Sequence, residues 1–174
     1  MFAGSLVAIV TPMRADGAID FEAWTRLLEF HVANGTDGIV VGGTTGESAT
    51  LRDAELRELL LRAAQLLQGR MTLLAGAGTS STAATVERVA WLSELPLDAL
   101  LLVTPAYNRP PQEGLYRHFA AAAEAARRPI VLYNVPARTV VDMKPATPPR
   151  TGKQPCLDEP PPFKVTAPAH APQA

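Results

Sequence analysis

Short apolar runs alternate with amphipathic stretches along the first 143 residues. Leu6–Val10, Ile39–Val41, Thr72–Ala75, Ala99–Val103 and Ile130–Tyr133 are aliphatic or β-branched almost throughout. That is the pattern of strands buried on both faces. Between them the apolar positions change to a helical period. Asp20 caps a predicted helix over Phe21–Ala33 whose apolar face is Trp24, Leu27, Leu28 and His31, with Gly35 beyond its end. Thr50, followed three residues later by Asp53, predicts a helix start ahead of Leu56, Leu59, Leu60 and Ala63. Thr82–Leu95 and Gln112–Ala126 read as two more helices, and Pro96 and Pro129 stand where each must stop. The strand starts are 33, 33, 27 and 31 residues apart. This is a βα repeat, and it predicts an α/β fold with a parallel sheet and helical crossovers. An open doubly wound sheet and a piece of a (β/α)8 barrel both satisfy it, since an intact barrel takes about 250 residues.

Composition changes the picture at the C-terminal end. The three lysines, Lys144, Lys153 and Lys164, all lie there, whereas residues 1–143 hold twelve arginines and no lysine. Nine of the sixteen prolines fall within Lys144–Ala174, where the large apolar residues are only Leu157, Phe163 and Val165. So little apolar surface cannot offset the entropy of ordering the segment. The expected organisation is a folded domain over 1–147 and a Pro/Ala-rich, disordered tail over 148–174. The net charge of −1 gives no general attraction to nucleic acid or an acidic membrane. No apolar run reaches transmembrane length, and the N-terminus lacks the basic region of a secretory signal. With one cysteine, Cys156, there is no disulfide framework. The expectation is a cytoplasmic protein.

Three segments follow strands, at the end where parallel α/β folds carry their sites. The first is Gly42-Gly43-Thr44-Thr45-Gly46-Glu47-Ser48. Its glycines permit close backbone approach, and its threonines and N–H groups can hold a carboxylate. It is not a P-loop, because no Gly-Lys-Ser/Thr follows. The second is Thr104-Pro105-Ala106-Tyr107-Asn108-Arg109-Pro110-Pro111, where Tyr107 can donate or relay a proton. The third is Tyr133-Asn134-Val135-Pro136-Ala137-Arg138-Thr139. There Tyr133 points inward or outward, and Arg138 can pair with a carboxylate. Taken singly, the first segment is equally well a polar strand-to-helix turn, the second reads more readily as a Tyr packed in a Pro-rich loop, and the third as a packed Tyr with a solvated Arg. His31 and His118 lack metal-ligand spacing, and Glu55 and Glu58 read as a solvated helix face.

In this order and spacing, GGTTGES, VTPAYNRPPQEGLYRHF and VLYNVPART, with the opening GSLVAIVTP, resemble the dihydrodipicolinate synthase family of pyruvate-dependent class I lyases. The resemblance runs from about Phe2 to Thr147. It implies a TIM barrel, here cut to about five βα units. It further implies condensation of pyruvate with aspartate semialdehyde in lysine and diaminopimelate biosynthesis, no cofactor or metal, and a homotetramer. Thr45 and the N–H groups around Gly46 would hold the pyruvate carboxylate. Tyr133 would be the acid/base, Thr44 would relay its proton, and Tyr107 of a neighbouring subunit would extend the relay. Arg138 would orient Tyr133 and bind the semialdehyde carboxylate. Ala106 stands where the family often has an aromatic residue. N-acetylneuraminate lyase shares the tyrosine motif, but the double threonine, Tyr107 and Arg138 favour the synthase.

The family also implies a sixth strand ending in a lysine that forms an imine with pyruvate. Its place falls near Pro161, in Glu159-Pro160-Pro161-Pro162-Phe163-Lys164, and three consecutive prolines cannot sit in a central strand. No Schiff-base lysine is found. The abrupt change at Pro148 reads as out-of-frame translation of a GC-rich gene. The expected chain is therefore inactive, or a non-catalytic fragment that associates with intact subunits.

Overall fold

The computed structural model describes residues 2–147. The predicted disordered tail, Lys153, Lys164 and the triple proline lie outside the described residues. Five strands form one parallel sheet in the order β1 Leu6–Ala8, β2 Gly38–Val41, β3 Thr72–Gly76, β4 Ala99–Val103 and β5 Ile130–Tyr133. Helices α1 Phe21–Ala33, α2 Asp53–Leu67, α3 Thr82–Leu92 and α4 Gln112–Ala125 make the crossovers, and a short α5, Pro136–Thr139, follows β5. Sequential strands are neighbours throughout, with no change of direction in strand order. The sheet is a partial barrel of five βα units. An open doubly wound sheet is set aside, because its strand order reverses at a switch point.

Each strand has two apolar faces with different surroundings. Ile39, Val41, Leu73, Ala75, Leu100 and Leu102 join Trp24, Leu28, Leu59, Leu60, Val89, Leu92, Leu115 and Phe119 in one large cluster beneath the helices. The alternate positions Val40, Leu74 and Ala99 form a second, smaller cluster with Phe2, Leu101 and Val131. The second cluster marks the face that lines a barrel. β2 is buried at every position, while β5 is only half-buried along its length.

Helix boundaries depart from the pattern where side chains intervene. Asp20 caps α1 as expected, its Oδ1 accepting from Glu22 N at 3.1 Å and Ala23 N at 2.9 Å. The Thr50 start is displaced to Asp53. Residues 42–50 are consumed by turns, and the Thr50 hydroxyl donates to the Glu47 carbonyl at 2.9 Å. Glu55 closes the new start by accepting Arg52 N at 2.9 Å and the Arg52 guanidinium at 2.6 Å. These bonds hold its carboxyl down at about 2. Glu58 pairs with Arg62 at 2.6 Å, so both glutamates are the solvated helix face that their positions suggested. α3 ends at Leu92, not Leu95. Ser93 Oγ folds back to Val89 O at 2.7 Å, and Arg128 takes up the carbonyls of Ser93 and Leu95. The ladder of the first strand ends at Ala8, with one further bond from Ile9 N to Val40 O at 3.2 Å, and Val10 is half exposed.

His118 of α4 is buried against α3. Its Nδ1 meets Thr82 Oγ1 at 3.0 Å, and its Nε2 has no partner among the described residues. Burial pushes its pKa below the usual 6.5. A group whose charged form is disfavoured in the fold binds protons more readily when unfolded. Stability is thus fully present above pH 6.5 and falls as pH drops from there toward the depressed folded value. Urea midpoints measured from pH 7.5 to 5 should show this loss, and His118→Leu should flatten it.

Candidate active site

Four loops meet at the C-terminal end of the strands. The β2–α2 loop begins with Gly42 at φ 65°, and a side chain there would come within 2.5 Å of Leu56. Glycine is required on both counts. Three bonds then coil the loop: Gly46 N to Gly43 O at 3.0 Å, Glu47 N to Thr44 O at 3.2 Å and Ser48 N to Gly43 O at 3.3 Å. The loop is pinned from beneath by Thr11, whose buried hydroxyl donates to Gly46 O at 2.8 Å. Thr44 is left half-buried and Thr45 exposed. Neither their N–H groups nor their hydroxyls bond to another described residue.

Tyr133 faces inward. It pairs with Val103 in register, and it lies on the same side of β5 as Val131, which packs in the inner cluster. Its carbonyl accepts Thr104 N at 3.1 Å, which joins the ends of β4 and β5. α5 is then locked in place. Thr104 Oγ1 donates to Thr139 Oγ1 at 3.0 Å in a buried pair, and Thr139 reaches the carbonyls of Val135 and Val141 at 3.2 and 3.1 Å. Asn134 completes the lock through Asp142 Oδ1 at 2.7 Å and Met143 N at 3.0 Å. Arg138 projects from this fixed turn with its side chain exposed and no partner among the described residues.

Thr139→Val should cost about 1–2 kcal/mol, because it strands the Thr104 hydroxyl in a buried site. Amide exchange at Thr139 and Val140 should accelerate with it. Unchanged exchange would show that α5 is held by something else.

Tyr107 is set apart from the other five candidate residues. It sits at φ 71° and is 92% exposed, so it builds no part of this chain's own mouth. Its loop is nevertheless fixed. Ser80 Oγ donates to Ala106 O at 2.9 Å, and Asn108 Nδ2 donates to Ser80 O at 2.8 Å. Thr44, Thr45, Gly46, Tyr133 and Arg138 therefore share one end of the sheet, while Tyr107 points into solvent from the same end. Among the described residues no group of three or more His, Cys, Asp or Glu side chains could hold a metal ion.

The dihydrodipicolinate synthetase family profile matches residues 1–155, past the Thr147 at which the motif resemblance stops. The chain belongs to the dihydrodipicolinate synthetase family. A 4-hydroxy-tetrahydrodipicolinate synthase of Aromatoleum aromaticum is 53% identical over 143 residues, which are 82% of this chain and 49% of that protein. One from Ectopseudomonas mendocina is 52% identical over 88% of this chain and 52% of its own length. Among solved structures, the chloride-inhibited dihydrodipicolinate synthase of Acinetobacter baumannii in complex with pyruvate superposes with TM-score 0.84 at 45% identity. It matches 87% of this chain and 52% of that one. A monomeric dihydrodipicolinate synthase variant gives 0.82 at 41% identity over 86% and 49%. The chain spans about half the length of the curated relatives it matches.

Sequence reasoning missed the supports of this family site. Thr11 and Thr104 are both buried and both tie a strand end to the next loop. The signal was in the repeated Val-Thr-Pro of Val10-Thr11-Pro12 and Val103-Thr104-Pro105. Proline lacks the N–H that would continue a ladder, so the threonine before it is freed to bond sideways. Gln112 was read only as a helix start. Its amide also anchors residues 142–147 through Asp142 O at 2.8 Å, Lys144 N at 3.0 Å and Thr147 Oγ1 at 2.5 Å.

Proposed function

We propose that residues 1–147 are the carboxylate-binding and acid/base half of a 4-hydroxy-tetrahydrodipicolinate synthase site, one that condenses pyruvate with aspartate semialdehyde. The reading rests on one observation above the others. The Thr44–Thr45 loop and inward-facing Tyr133 share the strand-end mouth with Arg138, and the hydroxyls of Thr44, Thr45 and Tyr133 and the Arg138 guanidinium have no partners among the described residues. Thr45 and the loop N–H groups near Gly46 hold the carboxylate of pyruvate. Tyr133 exchanges the proton as the imine forms and collapses, Thr44 passes it on, and Tyr107 of a neighbouring subunit carries it to solvent. Arg138 takes the second carboxylate in a bidentate grip. The imine itself needs a lysine amine, which residues 1–143 do not contain. The assembly in which Tyr107 acts is a homotetramer, and the compartment is the cytoplasm. Among the described residues no helix is long and apolar enough to cross a membrane.

A chimera tests the roles directly. Residues 1–147 of this chain, joined to the C-terminal half of the Aromatoleum aromaticum synthase, should condense the two substrates. Tyr133→Phe in that chimera should lower kcat by about 10²–10⁴-fold, the usual contribution of a general acid/base. A folded chimera that binds pyruvate but turns over equally well with the Tyr133→Phe substitution would end the assignment.

A further inference from the structure

The β2–α2 loop holds one residue against its backbone preference. Glu47 sits at φ 59°, in the left-handed region that residues with a Cβ rarely occupy. Turning over the Gly46–Glu47 peptide would carry that φ to the negative side and relieve it. Gly46 has no Cβ and can follow such a turn. Two bonds oppose it. Glu47 N donates to Thr44 O at 3.2 Å, and Gly46 O accepts from Thr11 Oγ1 at 2.8 Å.

The Thr11 bond is the shorter of the two, and it is buried. Thr11 is the one partner of Gly46 O among the described residues. Gly46 also lies so close to the chain beyond β1 that a Cβ on it would meet Ile9 O at 3.0 Å and Thr11 Oγ1 at 3.2 Å. A turned-over peptide would leave the Thr11 hydroxyl buried without its acceptor, and that is costly.

The consequence reaches the mouth through two peptide planes. Gly46 O and Glu47 N belong to one plane, and Thr44 O and Thr45 N belong to another. The Glu47 N to Thr44 O bond couples them. Gly46 N and Ser48 N are both spent on Gly43 O, so the N–H groups of Thr44 and Thr45 are the ones left for a ligand.

We infer that Thr11 is a positioning residue for the carboxylate. Its hydroxyl fixes the Gly46–Glu47 peptide, which fixes the Thr44–Thr45 peptide and so holds the Thr45 N–H ready. The inference rests on the functional reading above and adds the residue that sets affinity for pyruvate.

Titrating the 174-residue chain with sodium pyruvate, followed at the Thr44 and Thr45 amides by NMR, tests it. Thr11→Val should weaken binding by at least about tenfold, and Thr11→Ser, which keeps the hydroxyl, by no more than about threefold. The amide–α-proton coupling of Glu47 should rise in Thr11→Val, as φ turns negative. Adding Glu47→Gly to Thr11→Val removes the preference for the turned-over peptide and should restore binding. Adding Glu47→Gln, which removes only the charge, should not. In the chimera described above, Thr11→Val should raise KM for pyruvate and leave kcat unchanged. The inference is overturned if the parent chain binds no pyruvate, if Thr11→Val binds as the parent does, if Thr11→Ser fails as badly as Thr11→Val, or if Glu47→Gln restores binding as well as Glu47→Gly. Should Thr11→Val not fold, the same comparison is read between Thr11→Ala and Thr11→Ser. A chimera without turnover, beside titrations that follow this pattern, removes the synthase reading and leaves the role of Thr11 standing.

Discussion

Treated with pyruvate and borohydride, the purified 174-residue chain should acquire no pyruvyl-lysine adduct, and its turnover should be at least about 10⁴-fold below that of a lysine-bearing relative. The chemistry requires a neutral primary amine at the strand-end mouth. Residues 1–143 offer twelve guanidinium groups, which stay protonated and are poor nucleophiles. Lys144, the one described lysine, is exposed, and its segment is stapled to the start of α4. Peptide mapping of the reduced sample is the measurement. A pyruvyl adduct at Lys144, Lys153 or Lys164 accompanied by turnover would show that the chain supplies its own amine.

Gly76→Ala should be the most damaging single-methyl change in the described fold. A Cβ at the end of β3 would overlap the Gly42 carbonyl oxygen, far inside carbon–oxygen contact distance, and it would stand 2.6 Å from the Gly42 carbonyl carbon. These are backbone atoms of the turn that carries Thr44 and Thr45, so no side-chain rotation relieves the clash. Either the turn lifts or β3 leaves the ladder. Overpacking of this kind costs about 3 kcal/mol, a large part of a typical domain's margin. Gly43→Ala is the control, since its Cβ would find Val40 and Ala8 at ordinary contact distances of 3.5 and 3.8 Å. Urea midpoints should fall sharply for the first variant and little for the second. Equal midpoints would mean that the loop does not lie across the end of β3.

Much of this fold was legible in the chain. Continuous apolar runs located all five strands, because a strand buried on both faces leaves no position for a charge. Asp20 and the Pro129 stop bounded helices, because caps and missing N–H groups act over three or four residues, whereas α3 ended three residues before the Leu95 that Pro96 implied. The candidate site was legible as motifs after strand ends, and the family motifs removed the choice between open sheet and barrel.

Tertiary structure decided what depends on partners distant in sequence. It displaced the α2 start from Thr50 to Asp53, since the Gly42–Thr50 turns needed those residues. It turned Tyr133 inward through its register with Val103, a choice that one residue of slip would reverse. It buried the Thr104–Thr139 pair, whose members are 35 residues apart. It also left Tyr107 outside its own chain's site. Periodicity is a local property, so the sequence determined the elements by itself. Register and loop anchoring depend on long-range contacts, which only the assembled sheet defines.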